Sequence, residues 1–507
     1  MNTIPTDAYP ERRQKKELRI LLLEANDMGK WVGGALPFEV HVPPIGLMYL
    51  AAYARSHHPG ADIRIVESSL HCKTDSGYMG ILEQFDPDIV GIRSITFFFE
   101  EMKRLAALTR AHGKALIVAG GPIVRAYGSH LFSLVPEIEI AVRGEGEQSF
   151  VDLLGGKPLP EIRGILYRQS GQVIENPEGP EIEEIDAVPM PAYDLVDLDL
   201  YERQLSYTYN HRRQGVLLTS RGCPYSCTFC FEHSRRVRLR SAGNVFQEIL
   251  ELHNRRGIRD FYIIDDIFNL DLERALRLFD MIARARLGLR IYFANGLRTE
   301  LVNEEFVDRA VDAGAIWFTY AIESANGEIQ SLIRKKVDLE KARAIIGYTQ
   351  RKGVAVNVST MFGFPTETLQ QARQTLDWLG TLPKPSLLPY HFCLRCFPGC
   401  EITKQALKAG WDPQLVEFGS GMSYHELPLG TPTLPKGDMY RILIEYHQRY
   451  GLNNQDAVRE SVRTLKLVGY SDEDITHMYS VLKRKLISSL NELVGTGHTT
   501  GTADEHR

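Results

Sequence analysis

The chain has 507 residues, 44% of them apolar and 24% charged, the balance of a soluble globular protein of two to four domains. A formal net charge of −5 argues against nucleic acid as a partner, and no apolar run of about 18 or more marks a membrane span. Residues 1–17 form a polar tail without the apolar core of a secretion signal. Six of the seven cysteines fall in two tight clusters, which reads as metal or redox chemistry in a reducing, cytoplasmic compartment and not as a disulfide framework.

Residues 18–155 alternate strand and helix signals. "LRILLLEA" (18–25), "ADIRIVES" (61–68), "PDIVGIRSI" (87–95), "KALIVAGGP" (114–122) and the start of "EIEIAVRGEGEQSFVDLLGG" (137–156) read as strands. "PPIGLMYLAAYARSH" (43–57) and "EEMKRLAALTRAHG" (100–113) carry helical spacing. Such alternation predicts an α/β domain, a Rossmann-like (flavodoxin-like) doubly wound parallel sheet with right-handed crossovers. Ligands of such sheets bind beyond the carboxyl ends of the strands, where Glu24, Ser94, Thr96, Gly120, Gly121 and Gly144 fall. Any one of these glycines also suits a plain tight turn. As a set, "PPIGLMYLAAYAR", "PDIVGIRS", "VAGGP" and "VRGEGE" resemble the cobalamin-binding domain that precedes many radical S-adenosylmethionine (SAM) enzymes. The resemblance implies cobalamin lying across the sheet edge, with Pro44, Gly46, Pro122 and Glu145 joining the residues above as its contacts. No D-x-H-x-x-G segment occurs, so the chain is not expected to supply a histidine to cobalt.

Residues 156–205 read as a linker, with a hairpin, "GILYRQSGQVIE", and an acidic, proline-bearing stretch, "GPEIEEIDAVPMPAYDLVDLDLY". The next segment, 206–410, opens with a strand running into "TSRGCPYSCTFCFEH", where Cys223, Cys227 and Cys230 are spaced C-x3-C-x2-C. Zinc completed by His233, buried packing cysteines, and a [4Fe–4S] cluster are the three readings of such a triplet. A cubane on three cysteines leaves one iron open to a ligand. With Phe229 before the last cysteine, the triplet resembles the radical SAM motif. The resemblance implies that the open iron chelates SAM. An electron from an external flavodoxin- or ferredoxin-type reductant then cleaves SAM to a 5′-deoxyadenosyl radical.

Strand and helix signals repeat through this segment, giving six strands that fit the partial (β/α)6 barrel of that superfamily. Active-site residues of such barrels stand at the C-terminal ends of strands. "IDDIF", "ANGLRTE", "AIES", "GFPTET" and "CFPGCE" resemble the strand-end segments of the cobalamin-dependent radical SAM group. By position, the resemblance implies Phe229, Asp265, Asp266, Arg298, Glu323, Ser324 and Gly363 as SAM contacts, with Pro365 shaping the turn near adenine. Ion pairing and helix capping are the plain alternatives for Arg298, Glu323 and Ser324.

Cys393, Cys396 and Cys400 form a second cluster where the family pattern requires none. They read as packing, as a catalytic thiol, or as ligands of an auxiliary iron–sulfur cluster. A strand through Cys393 and Cys396 places them on opposite faces unless it ends between them. Residues 411–494 are helical and amphipathic, suited to packing or to covering the barrel mouth, and the tail 495–507 has a disordered composition. The expected function is cobalamin-dependent radical SAM methylation of an unactivated carbon in a small molecule. Sulfur insertion or rearrangement through the second cysteine cluster is the competing chemistry, and a cobalamin or iron–sulfur sensor the non-enzymatic alternative.

Overall fold

A computed structural model describes residues 17–26, 41–203, 210–231, 234–385, 387, 391–413, 430–480 and 483. Five parallel strands form the N-terminal sheet: β1 (Arg19–Glu24), β2 (Asp62–Glu67), β3 (Ile89–Arg93), β4 (Leu116–Gly120) and β5 (Ile140–Val142). They lie in the order β2-β1-β3-β4-β5, so the topology reverses between β1 and β3. The apolar run of β1 is explained by two-sided burial. Ile20 and Leu22 enter one core, Leu21 and Leu23 the other. Helices Ile45–His57 and Glu147–Leu154 cover the first face, and Asp75–Phe85 and Phe99–His112 the second.

The hairpin assigned above to the linker belongs to this sheet. β6 (Ile165–Gln169) pairs antiparallel with β5, and β7 (Gln172–Glu175) with β6. The physical reason is the open edge of β5: Ile165 and Tyr167 enter one core and Leu166 the other. The acidic stretch that follows is a strap. Asp186 Oδ1 accepts from Ser241 N at 2.9 Å, Tyr193 Oη donates to Val216 O at 2.9 Å, and Asp194 pairs with Arg55 at 2.6 Å.

The second sheet has six parallel strands in chain order: β8 (Gln214–Leu217), β11 (Asp260–Ile263), β12 (Arg290–Leu297), β13 (Ala315–Glu323), β14 (Ala355–Phe362) and β15 (His391–Cys393). This is the expected open, partial barrel. Between β8 and β11, β9 (Ser220–Arg221) and β10 (Arg238–Leu239) form a separate antiparallel pair. The barrel helices start on side-chain caps that the sequence supplies at each turn. Ser241, Asp271, Asn303, Asp338 and Thr368 each accept a backbone N–H of the first helical turn.

Helices Lys436–Tyr450 and Gln455–Leu467 follow, and 472–480 is helical. The later part closes the N-terminal end of the barrel and not its mouth. Tyr470 lies against Trp317 at 6.2 Å, and Asp474 Oδ1 accepts from His211 N at 3.2 Å, beside the starts of the strands. The helix Lys436–Tyr450 reaches the other end, where Met439 faces the turn at Gly363. The tail 495–507 lies outside the described residues.

Candidate active site: a cavity shared by two domains

The loop that carries the cysteine triplet is held at both ends. β9 leads into Gly222, whose φ of +86° and crowding by Ser234 O and Arg236 O exclude any side chain. Cys223 N then donates to Ser234 O at 2.9 Å, Thr228 N to Ile333 O at 3.1 Å, and Cys230 N to Cys227 O at 3.1 Å. Cys227 is lowered to about 6, first by the Cys230 thiol donating to it and then by Lys335 and Arg298, against the effect of burial. The same sharing raises Cys230 far above the usual thiol range. Lys335 and Arg298 thus favour the thiolate at Cys227, the ligand form iron requires, while burial raises Cys223. Among the described residues, no three His, Cys, Asp or Glu side chains are placed to hold a single metal ion, and His233 lies outside them. A cubane makes no such demand, because each thiolate binds its own iron. The residues fit a site-differentiated [4Fe–4S] cluster.

Asp265 and Asp266 divide. Asp265 is buried, and its carboxylate accepts from Thr219 N at 2.6 Å, Ser220 Oγ at 2.8 Å and Thr219 Oγ1. Arg274 braces the same residues by donating to Thr219 Oγ1 at 3.0 Å. Asp265 therefore anchors the strand that feeds the cluster loop, and its oxygens are not open to SAM. Asp266 lines the cavity. Arg298 stacks over Tyr225 at 3.7 Å and donates to Lys335 O at 2.8 Å, which ties it to the cluster loop. Glu323 ends β13 in the left-handed region at φ +66°, and its carboxylate accepts from buried Lys335 Nζ at 2.6 Å. A non-glycine residue in that region is uncommon and marks strain held by its surroundings. Ser324 is buried and its Oγ accepts from Asn326 N at 3.2 Å, while Asn326 itself caps the helix that follows. At the end of β14, Gly363 has φ +83° and donates to Glu367 Oε2 at 2.6 Å, while Pro365 O accepts from Trp411 Nε1 at 3.4 Å. Lys335, Tyr225 and Glu367 escape sequence reasoning. Lys335 lies in "LIRKKVD" after a short helix, where no spacing points to the cluster.

A cavity of about 430 Å³ runs between the two domains. Gly46, Gly120, Gly121, Pro122, Gly144 and Glu145 line it from the first, and Ser220, Gly222, Phe231 and Asp266 from the second. A side chain at Gly120 would meet no protein atom within 4 Å, so the absence of one keeps the cavity wall clear and is not forced by packing. Gly121, at φ +86°, allows the chain to pass Ser94 O, which a Cβ would approach to 2.7 Å. A flat ligand can therefore lie directly on this backbone, as the corrin ring of cobalamin requires. Glu24, Pro44, Ser94 and Thr96 stand behind this wall and do not line it. Burial pushes the Glu24 carboxyl up to about 7, although Arg93, which does line the cavity, opposes this. Ser94 Oγ donates to Ile95 O at 2.9 Å, and Pro44 O accepts from Met48 N at 3.0 Å. No histidine lines the cavity among the described residues.

β15 ends at Cys393, and Cys396 and Cys400 follow outside the strand. Cys393 lies beside Gly363. Cys396 and Cys400 are buried in an apolar cluster with Ile329, Phe364, Leu394 and Trp411, against which Phe229 and Phe231 of the cluster loop pack. Burial pushes the Cys393 and Cys396 thiols up to about 12, so they are protonated. The turn after them touches the first domain, with Phe397 edge-on to Phe97 at 4.8 Å.

A cobalamin-type Rossmann sheet facing the mouth of a partial barrel whose first loop carries three cysteines defines a radical SAM enzyme of the cobalamin-binding class. Residues 217–379 match the radical SAM superfamily and residues 32–154 the B12 binding domain. The chain is 31% identical over 348 residues to the uncharacterized methyltransferase PH0819 of Pyrococcus horikoshii, spanning 67% of this chain and 73% of that one. It is 26% identical over 456 residues to the cytidylyl-2-hydroxyethylphosphonate methyltransferase of Streptomyces wedmorensis, spanning 78% and 83%. The solved radical SAM methyltransferase TsrM from Kitasatospora setae, with cobalamin and a [4Fe–4S] cluster bound, shares the fold: TM-score 0.68, 18% identity, 94% of this chain and 100% of that one. The chain belongs to the cobalamin-dependent radical SAM family.

Proposed function

We propose that the protein methylates an unactivated carbon of a small molecule, with Cys223, Cys227 and Cys230 holding the cluster. The observation that carries this is the shared cavity, which is lined both by the glycine-bearing wall and by Gly222 and Phe231 of the cluster loop. When bound, the cluster and SAM supply an organic radical and cobalamin supplies the methyl group. The chain's own residues position and shield. Gly120 and Gly121 leave the backbone bare for a flat ring, Asp266 presents a carboxylate to a SAM amino group, and Arg298 a guanidinium to its carboxylate. The Glu323–Lys335 pair sets a buried cation beside the thiolates. Phe231 and the apolar cluster behind it exclude water from the reacting space. Cys230 is exposed, which gives a one-electron donor of the flavodoxin or ferredoxin type an approach to the cluster in the reducing cytoplasm.

Relatives in this family named as methyltransferases support the reaction type. Sulfur insertion through a second cluster has less support, because Cys396 and Cys400 are committed to apolar packing. The test is anaerobic reconstitution with cobalamin and SAM carrying a deuterated methyl group, followed by a metabolite screen. Methylation predicts 5′-deoxyadenosine together with a labelled product about 17 mass units heavier than its precursor. Labelled sulfide in the product would overturn the proposal.

A further inference from the structure

The two strands that close the cluster loop carry an unusual pair. β9 and β10 place Arg221 directly opposite Arg238. Like charges at opposed positions of an antiparallel pair repel and are destabilising. At the end away from the cysteines, Arg274 ties the two strands by donating to Thr219 O at 3.2 Å and Arg240 O at 3.1 Å; at the cysteine end the two-residue ribbon, marginal on its own, has the arginine pair. Both guanidiniums are buried, at 12% and 5% side-chain exposure, so solvent does little to screen them.

Their partners come from the other domain. Glu145 accepts a two-pronged bond from Arg238, at 2.6 and 3.0 Å, and also meets Arg221 at 3.3 Å. Glu147 accepts from Arg221 at 2.6 Å. Both carboxylates belong to the "RGEGE" loop after β5, whose glycines line the cavity. Arg238 is further fixed by donating to Ile182 O at 2.9 Å in the acidic strap, and Arg221 lies 5.6 Å from the Tyr49 ring. Among the described residues, every neutralising carboxylate within salt-bridge reach of this arginine pair, Glu145, Glu147 and, at 3.9 Å, Glu181, lies outside the barrel.

We infer that Glu145 and Glu147 are positioning residues for the iron–sulfur cluster: they cancel the Arg221–Arg238 repulsion and so keep the cysteine loop closed only while the cobalamin domain is docked. Glu145 then acts on the cluster through the hairpin and is not primarily a cobalamin ligand. The inference rests on the assignment of the cluster to Cys223, Cys227 and Cys230, and the triple alanine variant of these cysteines, which holds no cluster iron if that assignment is right, tests it separately.

The experiment measures iron and sulfide per chain after anaerobic reconstitution, with far-ultraviolet circular dichroism to follow folding. Wild type holds about four irons. E145Q/E147Q keeps its secondary structure but holds at least fourfold less iron, although neither glutamate touches the loop's cysteines. Adding R221M and R238M to that variant removes the repulsion and restores iron to at least half the wild-type content. Two results overturn the inference: full iron in E145Q/E147Q, or no recovery in the fourfold variant. If E145Q/E147Q does not fold, the fourfold variant decides alone, since folding with iron bound supports charge repulsion as the fault and failure to do so overturns it.

Discussion

Replacing Glu367 by glutamine separates the two things a buried carboxyl can do at the turn after β14. Glu367 is fully buried, and its Oε2 accepts from Gly363 N at 2.6 Å and Phe364 N at 3.3 Å, while Oε1 has no partner. Burial pushes its carboxyl from 4.5 up to about 8, against the pull of the two backbone bonds. The folded chain therefore keeps a proton that the unfolded chain releases above pH 4.5. Its stability is full below that pH and falls as pH rises through about 8. At about 1.4 kcal/mol per unit, the rise sets an upper limit of ~5 kcal/mol on this loss. Glutamine offers the same oxygen to the two N–H groups and does not ionise. Glu367→Gln should match wild type near pH 5 and exceed it by several kcal/mol at pH 9, read from urea midpoints of the apo chain. Glu367→Ala should instead be destabilised at every pH, by about 1–3 kcal/mol for each N–H left without an acceptor. A Gln–wild-type difference that stays constant from pH 5 to 9 would refute the buried-proton account.

Gly120→Val should fold with an unchanged melting temperature and lose at least tenfold in corrinoid affinity, because its side chain has room only in the cavity; titration of the apo chain with hydroxocobalamin checks this. Asp265→Asn should destabilise the chain by about 1–3 kcal/mol by setting an amide against Thr219 and Ser220. Asp266→Asn should leave stability alone and weaken SAM binding about tenfold, as measured by calorimetry. Cys396→Ala/Cys400→Ala should keep full iron content and melt lower by a few degrees, the mark of lost packing.

The two domains were legible because their signals are local. Buried strands read as apolar runs, and the cluster motif lies within eight residues. The Asp265–Asp266 pair shows where local reading stops. One aspartate anchors Thr219 and its neighbour lines the cavity. Which does which depends on where β8 lies, and that is a tertiary fact. Lys335 reaches Glu323 across twelve positions and a short helix, with a left-handed residue on either side of it, at Arg334 and Lys336. The acidic strap showed its charge in the sequence but not its arginines, which come from distant segments: Arg238 of β10 reaches Glu181 and Arg55 of the first domain reaches Asp194.

The second cysteine cluster reverses the lesson of the first. Both have three cysteines within eight residues, yet spacing gathers ligands only when the backbone between them curls around one point. Around Cys223 the chain does so: Gly222 turns in a left-handed conformation, and Cys230 N bonds to Cys227 O. Around Cys393 the chain leaves β15, runs through Leu394–Phe397 without regular structure, and starts a helix at Glu401. The thiols are thereby sent to different neighbours, with Cys393 beside Gly363 and the other two into the apolar cluster behind Phe229 and Phe231. A small, polarisable side chain suits that place, because it fills the space behind the cluster loop without presenting a hydrogen-bonding group that would need a partner. On the proposed assignment the first cysteines are ligands, and Cys396 and Cys400 pack behind the loop that carries them. A change at Cys396 or Cys400 should thus reach the cluster only through the packing of Phe229 and Phe231.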